Sequence, residues 1–328
     1  MKKLYWCIVC TVWITVWLAS CKDSSPISLS PDVESIVSVE NGRLRFRDMA
    51  AFTSVTQSLQ KNSDYDKWES QFRGYVSMRR SYAEVSKKFV DKDFDVKELL
   101  PYQNVVMGRE TSDGTSYERV LCDDLLATVV SKDGVLQIGD SLYLPLDNQL
   151  RVVHIKNGSD IHKATGSVAV REVKRVVSNQ VQSSKAGARM AGNTDNYYYD
   201  EYTVDGRRHR FVANHWAKNY PFPEQYWSTG LRVEHQKRQW WGGWGWSNAF
   251  SWNSNYNWTY YYCSGGGFYK QDMGSRGTPE TSEIEFYRYA EPNGTSPANF
   301  RIVSSVNWSA TGRNGFPYGG DYYFDECI

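Results

Sequence analysis

The residues best suited to holding a ligand lie in Gln239-Trp240-Trp241-Gly242-Gly243-Trp244-Gly245-Trp246, followed by Trp252, Trp258 and Tyr260-Tyr261-Tyr262. Flat rings with polar handles stack on sugar rings, peptide aromatics or lipid headgroups. Glycines between them permit close approach. The same rings also fill sandwich cores, and a strand sends alternate side chains to opposite faces. On a strand, Trp244 and Trp246 share a face, whereas Trp240 and Trp241 point apart. Most of these rings are therefore expected in the core, with a minority exposed. The expected binding surface is Trp240, Trp241, Trp244 and Trp246, with Arg232 and Arg238 as polar partners.

The stretch 207–238 carries Arg207, Arg208, Arg210, Lys218, Arg232, Lys237 and Arg238 against Glu224 and Glu234, a local +5. Such a stretch suits an anionic glycan, an anionic membrane surface or, last in rank, nucleic acid. It equally suits a strand face neutralised in space by acids such as Asp195, Asp200 and Glu201, and this second reading is preferred. His209 and His215 are six apart, so they share one face of a strand, with His235 on a neighbour. Zinc needs three or four converging ligands. Residues 21–328 hold no His-Glu-x-x-His, no Cys-x-x-Cys, no Gly-x-Ser-x-Gly and no phosphate-cradling glycine loop. No catalytic residue, metal or cofactor is expected. Glu224, Glu234, Glu283 and Glu285 leave open a carboxylate pair for glycoside hydrolysis, since such pairs need not be close in sequence.

Ahead of all this stands Leu18-Ala19-Ser20-Cys21, preceded by Lys2, Lys3 and an apolar run from Leu4 to Leu18. Basic start, apolar run and small residues are the layout of a secretory signal peptide. The run is shorter than the roughly 20 residues of a membrane span. The cysteine after Leu-Ala-Ser resembles the bacterial lipobox, which implies lipidation of Cys21 as the first mature residue. Residues 1–20 are then signal peptide and 21–35, polar with prolines, a tether. Removal of Lys2 and Lys3 leaves 36 basic against 37 acidic residues, a balance that argues against nucleic acid. Beyond the inner membrane disulfides persist. Cys263 and Cys327 are the expected pair, with Cys122 a buried thiol.

The elements that must position these groups divide at 183–196, a small, polar linker. Residues 36–182 read as an N-terminal α+β domain. Asn41-Gly42 between alternating apolar residues predicts a hairpin. Asp48 predicts an N-cap for a helix with Met49, Phe52, Val55 and Leu59 at helical spacing. A second helix is expected from Ser63 or Asp64 to Phe89, with Gly74 a break and Lys67, Glu69, Arg73, Arg80 and Lys87 on a solvated face. A short helix is expected over 117–130, and turns at Lys132-Asp133-Gly134 and Gly139-Asp140. Residues 197–328 read as an all-β domain with strands near 207–219, 229–241, 248–263, 283–289 and 299–309. The fold class is α+β: a helical and mixed region, then an aromatic-rich antiparallel β-sandwich-like domain.

Two patches resemble a known group. One is Asp133-Gly134-Val135-Leu136-Gln137-Ile138-Gly139-Asp140-Ser141-Leu142-Tyr143 after the helices. The other is His215-Trp216-Ala217-Lys218-Asn219 with Tyr226-Trp227-Ser228-Thr229-Gly230 and the tryptophan-glycine segment. With the lipobox, they resemble uncharacterised lipoproteins of Bacteroidetes-type bacteria, grouped as domains of unknown function. The resemblance implies a cell-envelope lipoprotein and carries over no catalytic residue; the expected location is the outer membrane, on either its periplasmic or its surface side. The expected function is non-catalytic: membrane attachment through lipid on Cys21 and binding of a glycan or protein partner. Two alternatives stay open: an envelope hydrolase acting on polysaccharide or peptidoglycan, and a structural subunit of a surface complex.

Overall fold

Asn41 and Gly42 both take positive φ, 53° and 75°, and join β1 (Val37–Glu40) to β2 (Arg43–Phe46). Two such central residues give the turn whose twist matches its strands. A computed structural model describes this hairpin and residues 36–146, 149–155, 161–162, 169–172, 174–175, 198–223, 226–262, 268–291 and 300–327. Among them no helix is long and apolar enough to cross a membrane.

Asp48 caps α1 (Met49–Lys61) by accepting from the Ala51 amide at 2.8 Å. Phe52 and Val55 on α1 are buried, and the Phe52 ring meets Phe46 edge-on at 5.3 Å. The helix expected from residue 64 to 89 is two helices, α2 (Tyr65–Glu69) and α3 (Met78–Phe89). The break falls at Gly74, φ 84°, and Ser77 restarts the helix by accepting from the Arg80 amide. Glu69 corrects a second expectation. It is buried, and its carboxylate accepts from the Ser77 amide at 3.0 Å, the Ser77 hydroxyl at 2.9 Å and Arg79 at 3.3 Å. A charge placed on the solvated face is thus a clasp between the two helices.

The helix expected over 117–130 is also corrected. Its first part belongs to β4 (Gly114–Arg119), which forms a hairpin with β3 (Val106–Thr111). Only α4 (Asp124–Val129) is helical, capped by Asp123. Strand pairing overrides the leucine spacing there, because Ser116 meets Trp244 of a later strand. The Gly139-Asp140 turn joins β5 (Leu136–Ile138) and β6 (Ser141–Pro145), with glycine first at φ 56°. With β7 (Gln149–His154) and β8 (Ala169–Glu172) these build a six-stranded sheet, β1-β2-β5-β6-β7-β8.

The remaining strands are longer. An eight-stranded sheet runs β10 (Tyr198–Val204), β11 (Arg207–Tyr220), β12 (Tyr226–Arg238), β13 (Trp244–Trp246), β4, β3. β9 (Lys174–Arg175) adds to β11 and β16 (Glu283–Glu291) to β12. A four-stranded sheet orders β15 (Phe268–Thr278), β14 (Ser251–Tyr262), β17 (Phe300–Thr311) and β18 (Pro317–Cys327). The two sheets bury one cluster between them, including Phe211, Trp227, Leu231 and Val233 from the first and Trp252, Trp258, Val306 and Trp308 from the second. Large aromatic side chains dominate such a core because each buries about 150–250 Å². The protein is mostly β, with antiparallel sheets and few helices, and richer in strand than a balanced α+β fold. The linker expected at 183–196 lies outside the described residues. On either side of it, β3, β4 and β9 share a sheet with β10–β13, and residues 36–328 form one compact unit.

Candidate functional site

The long strands β11 and β12 have two unlike faces. Phe211, Ala213, Leu231 and Val233 face the four-stranded sheet. Arg210, Asn214, Arg232, Glu234 and Gln236 alternate with them and are buried on the opposite side. There they meet β4, α4 and the residues between. Asn214 donates to Glu118 at 2.9 Å, and Arg210 to Gln236 at 2.9 Å and Asp113 at 3.1 Å. Arg232 donates to the Cys122 carbonyl at 3.1 Å and pairs with Glu285 at 3.1 Å and Asp124 at 3.4 Å. Arg119 pairs with Asp124 and Glu283 and lies 4.3 Å from the Tyr82 ring centre. Buried charges survive only when paired in this way.

This network answers the basic stretch. Arg207 pairs with Asp93, Arg208 with Glu201, Arg210 with Asp113, Lys237 with Asp93, and Arg232 with Glu285. Acids distant in sequence neutralise it in space. Glu234 stands opposite Glu283 in the β12–β16 register. Burial, then the charges of Glu283 and Glu118, push its carboxyl up to about 8. Glu234 accepts from Gln236 at 3.2 Å and is buried in the layer between sheet and helices. That setting is an ion network holding elements together. Glu224 lies outside the described residues.

The four tryptophans of the expected surface separate. Trp244 and Trp246 are fully buried. Trp246 donates from Nε1 to the Tyr82 hydroxyl at 2.8 Å and stacks on Phe89 and Phe94. The Trp244 ring lies under three guanidiniums, with Arg210 at 4.0 Å, Arg238 at 5.0 Å and Arg208 at 5.3 Å. Trp241 folds back over Gly243, where a Cβ would stand 1.5 Å from its ring, and donates to the Phe94 carbonyl at 2.9 Å. Trp240 alone projects, 68% exposed, from the β12–β13 turn. Arg238 donates to the Asp113 carbonyl and lies over the Trp244 ring, and Arg232 sits in the buried ion network. The expected four-ring platform is corrected to one exposed ring. The β13 strand is only three residues long; its Trp246 packs on α3 and its Trp244 lies under the arginines.

The three histidines are buried, and two of them meet. His209 and His235 stack at 5.2 Å between centroids, flanked by Tyr202 and Phe211. His235 Nδ1 lies 2.9 Å from the Ser247 carbonyl, so it carries the proton, and Nε2 accepts from Tyr202 at 2.8 Å. Burial, with Lys237 nearby, lowers His209 to about 4, and burial lowers His215 and His235 to about 3. The rings are neutral packing groups at ordinary pH. Cys122 is a buried thiol. The expected Cys263–Cys327 pair and Cys21 lie outside what is described, since residue 263, the 327 side chain and residues 1–35 are not included.

Sequence reasoning missed one regular polar surface. On the four-stranded sheet, Trp252, Trp258, Val306 and Trp308 point inward, so Asn253, Asn255, Asn257, Ser305, Asn307 and Ser309 point outward and are exposed. Register aligns them in rows. Gly277, Asn253, Ser309 and Gly319 form one, and Ser275, Asn255, Asn307 and Asp321 the next. A depression of about 270 Å³ lies over these rows, lined by Asn253, Asn255, Ser275, Arg276, Asn307 and Ser309 among others. Asn307 donates to Asp321 at 2.6 Å. Among the described residues, Asn253, Asn255, Ser305 and Ser309 make no side-chain hydrogen bond, so their donors and acceptors face solvent. The chain matches no protein-family model and no curated protein.

Proposed function

We propose that this is a non-catalytic, lipid-anchored protein of the cell envelope, held at the outer membrane through lipid on Cys21, that binds a glycan or protein partner. The observation that carries the binding half is the outward face of β14 and β17. It aligns exposed amides and hydroxyls in rows across the two strands, with Asn255 beside Asn307 and Asn253 beside Ser309. The anchoring half rests on the order of Lys2-Lys3, apolar run and Leu-Ala-Ser-Cys. The resemblance to Bacteroidetes-type lipoproteins supports the anchoring half.

The decisive experiment pairs the two halves. Labelled palmitate is expected in the native protein and lost in Cys21→Ser, which then leaves the membrane fraction. Screening the full-length protein against arrayed glycans and cross-linked envelope proteins is expected to give a ligand lost on Asn255→Lys with Asn307→Lys. Palmitate retained by Cys21→Ser contradicts the anchor, and a ligand retained by the lysine variant contradicts the surface.

A further inference from the structure

We infer that the outer face of the four-stranded sheet is a binding site for an uncharged oligosaccharide, lying across the strands along the row Ser275, Asn255, Asn307, Asp321. This deepens the binding reading above and rests on it. The Asn255 carboxamide offers paired donors and an acceptor and the Ser275 hydroxyl both, while Asn307 gives one N–H to Asp321 and keeps the other and its oxygen. Vicinal sugar hydroxyls present the complementary pattern. The row crosses four strands, three spacings of about 4.8 Å, and a parallel row lies roughly 7 Å away along the strands. The grid therefore meets a chain of rings with hydrogen-bonding groups at regular intervals. Gly277 and Gly319 lack side chains at the two ends of the neighbouring row, which keeps that flank of the depression low.

What the face lacks narrows its occupant. Protein interfaces centre on aromatics, methionine and arginine. Among the described residues the exposed side chains of β14 and β17 on this face are asparagine and serine, with Asp321 on β18, half-buried Thr259 and Val303, and Met273 the large apolar exception at one edge. An anionic ligand needs free cations. The one arginine at the depression, Arg276, donates to the Glu285 carbonyl at 2.9 Å and lies 6.0 Å from the Tyr256 ring centre. The acid on the row, Asp321, would repel an anion, and Asn307 holds it in place. A lipid surface needs an apolar patch, which asparagine and serine do not supply. At about 270 Å³ the depression is slightly smaller than the roughly 300 Å³ where drug-sized sites begin. It suits one ring seated and its neighbours lying along the row.

Calorimetric titration of the full-length protein in detergent micelles tests this, with neutral gluco-, manno- and xylo-hexasaccharides, a sulfated hexasaccharide, and the envelope proteins found by cross-linking. At least one neutral hexasaccharide is expected to bind, more tightly than the sulfated one. Asn255→Ala with Asn307→Ala is expected to weaken it tenfold or more with an unchanged melting temperature, while Trp240→Ala stays within twofold. A neutral ligand that binds the double alanine variant as well as the native protein overturns this site, yet keeps a glycan-binding protein. A sulfated ligand or a protein partner lost in the double variant overturns the ligand class and keeps the surface. Absence of any ligand overturns both this inference and the binding reading beneath it.

Discussion

Replacing Glu234 with glutamine should remove a pH-dependent cost of folding. The carboxyl lies opposite Glu283 in register, is buried, and accepts from Gln236. Burial and the neighbouring acids raise it from 4.5 to about 8, so it is neutral in the folded protein at pH 7. An acid raised on folding leaves stability intact below its unfolded value. Stability then falls as pH climbs through the interval toward about 8, because unfolding releases the proton. Each unit of the interval is about 1.4 kcal/mol. Between pH 4.5 and 7 that is about 3 kcal/mol, an upper bound since Arg232 and Arg119 move to meet a new charge. Glutamine keeps the shape and a hydrogen bond without the titration. Urea unfolding at about pH 5, 7 and 9 should show the native protein losing stability relative to Glu234→Gln as pH rises, by on the order of 2–4 kcal/mol. Parallel pH profiles for the two proteins would refute the buried, neutral carboxyl.

Three further outcomes follow from packing. Trp246→Ala should cost about 3–5 kcal/mol, whereas Trp240→Ala should change stability by less than about 0.5 kcal/mol, both read by urea unfolding. Asp48→Ala removes the N-cap of α1 and should cost about 1 kcal/mol in the same assay. The imidazole signals of His209, His215 and His235 should not titrate by NMR between pH 5 and 8; a midpoint near 6.5 in any of them contradicts its burial. Because these histidines are lowered on folding, their stability contribution holds above about 6.5 and is lost as pH falls toward 4 and then 3.

Local signals were readable where one residue type dictates backbone or capping. Asn41-Gly42 gave its hairpin, Asp48 its cap, and the alternation in 207–219 gave β11, which spans Arg207–Tyr220. Failures came where distant partners decide. Leu121, Leu125 and Leu126 suggested a helix over 117–130, but Ser116 pairs with Trp244, and the chain is still strand at Arg119. Glu69 read as surface because its partner Arg79 is ten residues away on another helix. The tryptophan segment drew attention by composition, and burial took Trp244 and Trp246 from it. The polar face was invisible for a different reason. Asn253, Asn255 and Asn257 fall inside the strand expected over 248–263, but the sequence does not show which strand lies beside them. Only the β14–β17 register brings Asn255 beside Asn307 and sets the exposed amides in rows.

Hydrogen–deuterium exchange of the full-length protein, with and without the neutral hexasaccharide that binds most tightly, tests the central claim most directly. Side chains on β14 and β17 would be covered, so slowed exchange is expected in residues 251–259 and 303–311, with the 239–243 turn unchanged. Protection confined to that turn around Trp240, with β14 and β17 unaffected, would contradict the account.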